Sequence, residues 1–150
     1  MYTHNVLYLI ATGGYSGKIP FAPGTFGTLV GVGIVYATGE FSIFVRMMIF
    51  TLLFIVGIIA AEYHERHSGV EDSSEVVIDE IAGYFLVMLF FECRLSSLIA
   101  TFILFRVFDI TKPWPIKRLE RIGGGTGVMV DDIAAGIYSI LVFMAVRSVV

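Results

Sequence analysis

Val45-Arg46-Met47-Met48-Ile49-Phe50-Thr51-Leu52-Leu53-Phe54-Ile55-Val56-Gly57-Ile58-Ile59-Ala60-Ala61 carries a single charge over its whole length. Every face of the run is apolar, so periodicity is silent and the segment is read by its length and interruptions. The same pattern recurs along the chain. Apolar runs cover 25–38 (reaching 44 if bent at Gly39), 41 or 45 to 61, 76–91, 95–108 and 128–149. Polar loops at 64–75 and 109–127 and short turns near Glu40 and at Glu92-Cys93-Arg94 separate them. Hydrophobic residues make up 57% of the 150, charged residues only 15%, and mean hydropathy is +0.85. This composition predicts an integral membrane protein of one domain, 1–150. The expected fold is all-α: a polytopic membrane bundle of about five apolar helices. The third and fourth runs, roughly 16 and 14 residues, fall short of the ~20 that a full span requires. They predict short or broken spans, in a thinned bilayer or with polar ends drawn into the headgroup layer. Val6 to Ala11 is too short to cross and predicts an interfacial or buried helix.

Several classes of function are excluded early. A net charge of −3 with no basic run argues against nucleic acid as a partner. Cys93 is the only cysteine, so neither an internal disulfide nor a thiolate metal site is expected. Met1 to Asn5 lack a basic n-region and no removable signal peptide is expected. No Gly-x-Ser-x-Gly elbow is present. His64 and His67 flank Glu65 and Arg66 at a helical spacing, but no third soft ligand follows. They read as part of a solvated loop or helix end.

Alternation of the runs supplies a topology. If the first run leaves side one, the loops 62–79 and 109–130 both return to it. Side one then holds Lys18, Arg66, Arg106, Lys112, Lys117, Arg118 and Arg121, and side two only Arg46, Arg94 and Arg147. This bias makes side one cytoplasmic. Five carboxylates fall on side one at the membrane boundary: Asp79, Glu80, Asp109, Asp131 and Asp132. Acids so close to lipid are expensive and call for a partner. Gly27 and Gly31 form a GxxxG spacing. Gly83 and the Ala135-Gly136 pair, four residues beyond the acids, would let a neighbouring backbone approach.

Two readings compete at each acid. Asp79 and Glu80, and likewise Asp131 and Asp132, open apolar runs, where a carboxylate serves as a helix cap and suits the dipole. Asp109 closes a run, where the dipole opposes it. Arg106 and Lys112, three residues to either side, would stabilise it by ion pairing, and a metal would do so as well. Taken together, acids from three helix ends in one plane suit a hard cation, Mg2+ or else Mn2+. Mg2+ beside basic groups suggests phosphate chemistry. Lys112, Arg106 and Lys18 are candidate phosphate contacts; the competing reading of each is a headgroup-layer anchor. Thr25, after Pro20-Phe21-Ala22-Pro23-Gly24, reads as the N-cap of the first long helix, with amides available to an anion or simply to an ordinary helix start.

Four blocks together resemble the phosphatidylglycerophosphatase A family. They are Gly14 to Gly17 with Pro23 to Leu29; Asp72 with Val76 to Gly83; Phe105 to Ile116; and Gly124 to Gly136. Ser73 stands where the family has proline, and Thr28 where it has serine. The resemblance implies a magnesium-dependent phosphatase of the bacterial inner membrane that converts phosphatidylglycerol phosphate to phosphatidylglycerol. It carries the acidic positions over onto Asp79, Glu80, Asp109, Asp131 and Asp132 as metal-binding and catalytic residues. Two rivals stand beside it. A phospholipid headgroup transferase of the CDP-alcohol type also uses clustered aspartates, but its Asp-Gly…Ala-Arg pattern is missing after Asp131. A small cation carrier would want acids near mid-helix, with a matching set on side two.

Overall fold

The chain folds into helices, and no strand occurs among the described residues. The structure, a computed structural model, describes residues 2–149, with side chains for 6–119 and 121–149. Helix α1 (Tyr2–Ala11) is followed by glycine turns and a 3-10 turn, Ser16–Lys18. Helix α2 (Pro23–Ala37) opens on proline, whose fixed φ suits a first turn. Helix α3 (Ile43–Ser68) is capped by the Ser42 side chain, which accepts the Val45 N–H at 3.4 Å, and it ends on Gly69 at φ 69°. Then come α4 (Ile78–Met88), α5 (Leu95–Thr111), the short α6 (Ile116–Leu119) with a 3-10 turn Glu120–Ile122, and α7 (Gly124–Val149).

The helix α4 sits at the centre. Its apolar side chains, Tyr84, Phe85 and Met88 among them, are buried, and α2, α3, α5 and α7 pack around it. Close approach is achieved through glycine. On α2, a Cβ at Gly27 would strike Val77, and one at Gly31 would touch Ile81 and Tyr84. On the other side Gly83 and Gly136 let α4 and α7 meet backbone to backbone: a Cβ on Gly136 would lie 3.0 Å from the Gly83 carbonyl oxygen. The run 76–91, expected as a short membrane segment, is therefore the core helix. At 11 residues α4 is ~16 Å long, and neighbouring helices rather than lipid cover its apolar side chains.

Helices α3 and α7 extend furthest beyond their expected runs. Helix α3 continues past Ala61 to Ser68, through residues expected in a loop. An Arg66–Glu62 ion pair at 2.7 Å, one turn apart, supports the extension. His64 on this extension is buried, not solvated; its ring stacks on Tyr8 and its Nε2 lies 3.6 Å from Glu75. Helix α7 begins at Gly124, four residues before the apolar run. There the Gly125 N–H donates to Glu62 Oε2 at 2.8 Å, and a Cβ at Gly125 would run into the Ile58 carbonyl. The glycine run is thus the seat of α7 on α3.

By length and composition, α3 and α7 are the two helices able to cross a membrane among the described residues; α2 is apolar but shorter. Helix α3 exposes Phe44, Met47, Met48, Leu52, Ile55 and Ile59. The starts of α2 and α4, the end of α5 and, two turns in from its start, α7 line a common cavity at one end of the bundle. At the opposite end a buried Arg46 donates to the Met88 carbonyl, and Gly39 lies against Cys93.

Candidate active site

The cavity at that end has a volume of about 370 Å³. All five acids singled out by the sequence line it, together with Arg106 and Lys112. Each arrives from a different local cause. Asp79 and Glu80 occupy the first turn of α4, where the dipole favours them. The start of that helix is held by a Val77 N–H donated to the Ala11 carbonyl at 2.9 Å. Asp131 and Asp132 lie two turns inside α7, not in its first turn, so capping does not account for them. Gly83 allows the Asp132 backbone oxygen to approach α4, since a Cβ there would lie 2.9 Å from it. Asp109 sits in the last turn of α5.

The five acids divide into two kinds. Asp109 Oδ2 pairs with Arg106 Nη1, which also lies 3.7 Å from Glu80 Oε1. Asp131 Oδ2 accepts from Lys112 Nζ at 2.7 Å, and its Oδ1 accepts the Asp132 backbone N–H at 3.0 Å. Lys112 is the residue after α5, at φ 41°. This left-handed conformation is costly for a side chain other than glycine. By contrast Asp79 Oδ1, Glu80 Oε2 and Asp132 Oδ2 are buried without a hydrogen-bond partner among the described residues. One oxygen from each of these three acids lies within 4.8 Å of the other two. Two cations thus stand against six carboxylates in one cavity, the five above and the exposed Asp72. A buried carboxylate oxygen left without a hydrogen bond is strongly unfavourable. The donor set is oxygen only. The orphaned trio therefore fits a hard divalent cation, and the residues that could hold one are Asp79, Glu80 and Asp132.

Other predicted residues are placed differently. Thr25 is not the N-cap of α2; that position is Ala22, at φ 50°, and the Thr25 N–H is taken by the Ala22 carbonyl. Thr25 and Lys18 both lie outside the cavity lining. Lys18 sits over the Tyr8 ring, 5.0 Å from its centroid. Beside it the Tyr8 hydroxyl donates to Glu75 Oε2 at 2.7 Å, and that bond holds the Glu75 carboxyl below its ordinary range. This contact ties α1 and α3 to the loop that enters α4. Among lining residues not singled out as site residues in the sequence are Gly24, Asp72, Ser73, Ser74 and Ile110. For Gly24 the reason is steric, since a Cβ there would collide with Glu80 Oε1 and crowd the Arg106 guanidinium.

Comparison with known proteins bears on what such a site does. The profile of the family Phosphatidylglycerophosphatase A matches residues 9–147. A Haemophilus influenzae protein named phosphatidylglycerophosphatase A is 34% identical, over 95% of this chain and 90% of its own length. An Escherichia coli protein of the same name is 34% identical, over 90% of this chain and 80% of its own. A Bacteroides thetaiotaomicron protein, provisionally named phosphatidylinositol-3-phosphatase, is 39% identical, over 95% of this chain and 94% of its own. No solved structure matches the chain. The helical bundle with its acid-lined cavity is a phosphatase, a phosphoric monoester hydrolase. The chain belongs to the phosphatidylglycerophosphatase A family.

Proposed function

We propose that this phosphatase removes the terminal phosphate of phosphatidylglycerol phosphate, with Mg2+ as cofactor, at the cytoplasmic face of the bacterial inner membrane. The observation that carries the reading is the trio of partnerless carboxylate oxygens, on Asp79, Glu80 and Asp132, in the same cavity as Arg106 and Lys112. In this reading Asp79, Glu80 and Asp132 hold the ion. Mg2+ there supplies charge neutralisation at the phosphoryl oxygens and makes water a better nucleophile at neutral pH; Mn2+ would serve the same role. Arg106 and Lys112 exchange their carboxylate partners for phosphate oxygens, a recognition both side chains suit. That exchange frees Asp109 and Asp131, and one of them takes the proton of the attacking water. A P–O bond forms to water, the ester P–O bond breaks, and the alcohol oxygen of the lipid takes up a proton as it leaves.

The membrane setting rests on the long apolar α3 and α7 and the apolar exterior of α3. Helices α2 and α5 complete the embedded bundle around α4, so a multi-pass arrangement is reached without five independent spans. The acids lie at a helix end, at the depth of lipid phosphates, and the excess of Lys and Arg at that end makes it cytoplasmic. In the same reading residues 1–150 form a single domain.

The Bacteroides relative favours a second substrate, a phosphoinositide phosphorylated on its ring. Both are tested by phosphate release from detergent-purified protein presented with each lipid. Hydrolysis of phosphatidylglycerol phosphate that needs Mg2+ and stops with EDTA is expected. Release from the phosphoinositide alone would replace the first substrate by the second.

A further inference from the structure

The walls of the cavity differ in chemistry. One side is polar: the loop residues Ser73 and Ser74 and the carboxylates of α7. Beyond Asp131 on that side lies a smaller pocket, about 70 Å³, that includes Glu65, Glu71 and Asp72. The other side is the start of α2, with Ala22 and Pro23, and the end of α5, where Ile110 adds an apolar side chain beside Arg106, Asp109 and Lys112. Ile110 is 69% exposed although it lines the cavity, and it heads a row of exposed apolar residues: Val107, Ile103 and Ile99. Spacings of three and four place the row on one face of α5. It extends ~17 Å from the cavity along the helix. On α2, Phe26 and Leu29 are exposed, and Phe21, just ahead of the helix, is 81% exposed. Helices α2 and α5 each pack on α4 but scarcely touch one another. Each of the two helices therefore carries exposed apolar residues that begin beside the cavity.

We infer that the lipid substrate enters and leaves on the α2–α5 side, with its phosphate among the acids and an acyl chain along the row headed by Ile110. The inference rests on the lipid-phosphatase reading above and adds a direction to it. Lipid tails are as apolar as these side chains, so the row adds little binding over the bilayer itself. What it supplies is an apolar row that leads from the bilayer to the edge of the cavity. The opposite wall has no such path, because a chain there would desolvate Ser73, Ser74 and the neighbouring acids. Trp114, 71% exposed and two residues past Lys112, suits an anchor at headgroup depth beside this opening.

The test compares Ile103→Ser, in the row but outside the cavity, with Leu52→Ser, equally open on the distant α3. Each is measured on the long-chain substrate in bilayers and on its deacylated, water-soluble counterpart carrying the same phosphate monoester. For Ile103→Ser the ratio of long-chain to deacylated kcat/KM is expected to fall about fivefold, the scale of one misplaced polar group against lipid. For Leu52→Ser the ratio should hold. A substrate with a photoactivatable acyl chain should label α5 and α2 peptides of the wild-type protein and spare α3. An unchanged ratio in Ile103→Ser, an equal fall in Leu52→Ser, or labelling on α3 would each overturn the inference. A wild-type protein inactive on both substrates would overturn the phosphatase reading instead.

Discussion

At the residue scale, the chemistry lies in how five carboxylates share two bases. Asp109 and Asp131 have cationic partners; Asp79, Glu80 and Asp132 each retain a buried oxygen without one. Position along the chain singles out Asp109, because capping and the helix dipole excuse acids that open an apolar run. The structure withdraws that excuse from Asp131 and Asp132 as well, since α7 starts two turns before them. Which acid takes which base was not legible in the sequence. Arg106 and Lys112 are both three residues from Asp109, yet Lys112 turns away to Asp131, 19 residues on. The division has a consequence for stability. Without metal the trio is a concentration of like charge, so neutralising one member relieves repulsion. Asp132→Asn should raise the thermal midpoint in EDTA, by about 1–2 kcal/mol of stability, and the gain should vanish in saturating Mg2+, because ion binding stabilises only the wild type. A scanning fluorimetry series in both conditions would check this; an equal shift in the two would argue against a shared cation.

At the element scale, the site depends on glycines that set distances between helices. The acids reach one cavity because α4 approaches α2 through Gly27 and Gly31, and α7 through Gly83 and Gly136. Those spacings were readable from the sequence as small-residue patterns beside the acids. The Gly123 to Gly127 stretch was not: from sequence it reads either as a close approach to a phosphate or as a flexible turn, but from Gly124 onward it is helix, held on α3 by Glu62. Its true role depends on a partner more than sixty residues away. His64 likewise reads as solvated from its charged neighbours, whereas burial against Tyr8 is a tertiary fact. The rigid carbonyl of Ile58 makes Gly125→Ala costly, about 1–3 kcal/mol in unfolding experiments. Gly33→Ala, where a Cβ meets open space, should be neutral or stabilising by up to about 1 kcal/mol. Equal effects from the two would mean that α7 does not sit on α3 as described.

At the scale of the whole molecule, the helical class and the gathering of the acids at one end follow from run lengths and alternation. What that logic missed is that the short third run is covered by the other helices and becomes the core around which they pack. Burying the middle helix leaves α3 and α7 as the long outer elements, and leaves the acid cavity open at a bundle end rather than enclosed within it. A hydrolase working on a phosphate at the membrane surface needs that placement. A cation carrier would need a route through the bundle, yet the middle of this bundle is filled by Tyr84, Phe85, Met88 and Phe105. The most direct test of the account is phosphate release from phosphatidylglycerol phosphate across a Mg2+ titration, for the wild type and Asp132→Asn side by side. Activity that rises with Mg2+ in the wild type and falls by about 10²-fold or more in Asp132→Asn at every concentration is the expected result. Full activity of Asp132→Asn, or wild-type turnover undiminished in EDTA, would contradict it.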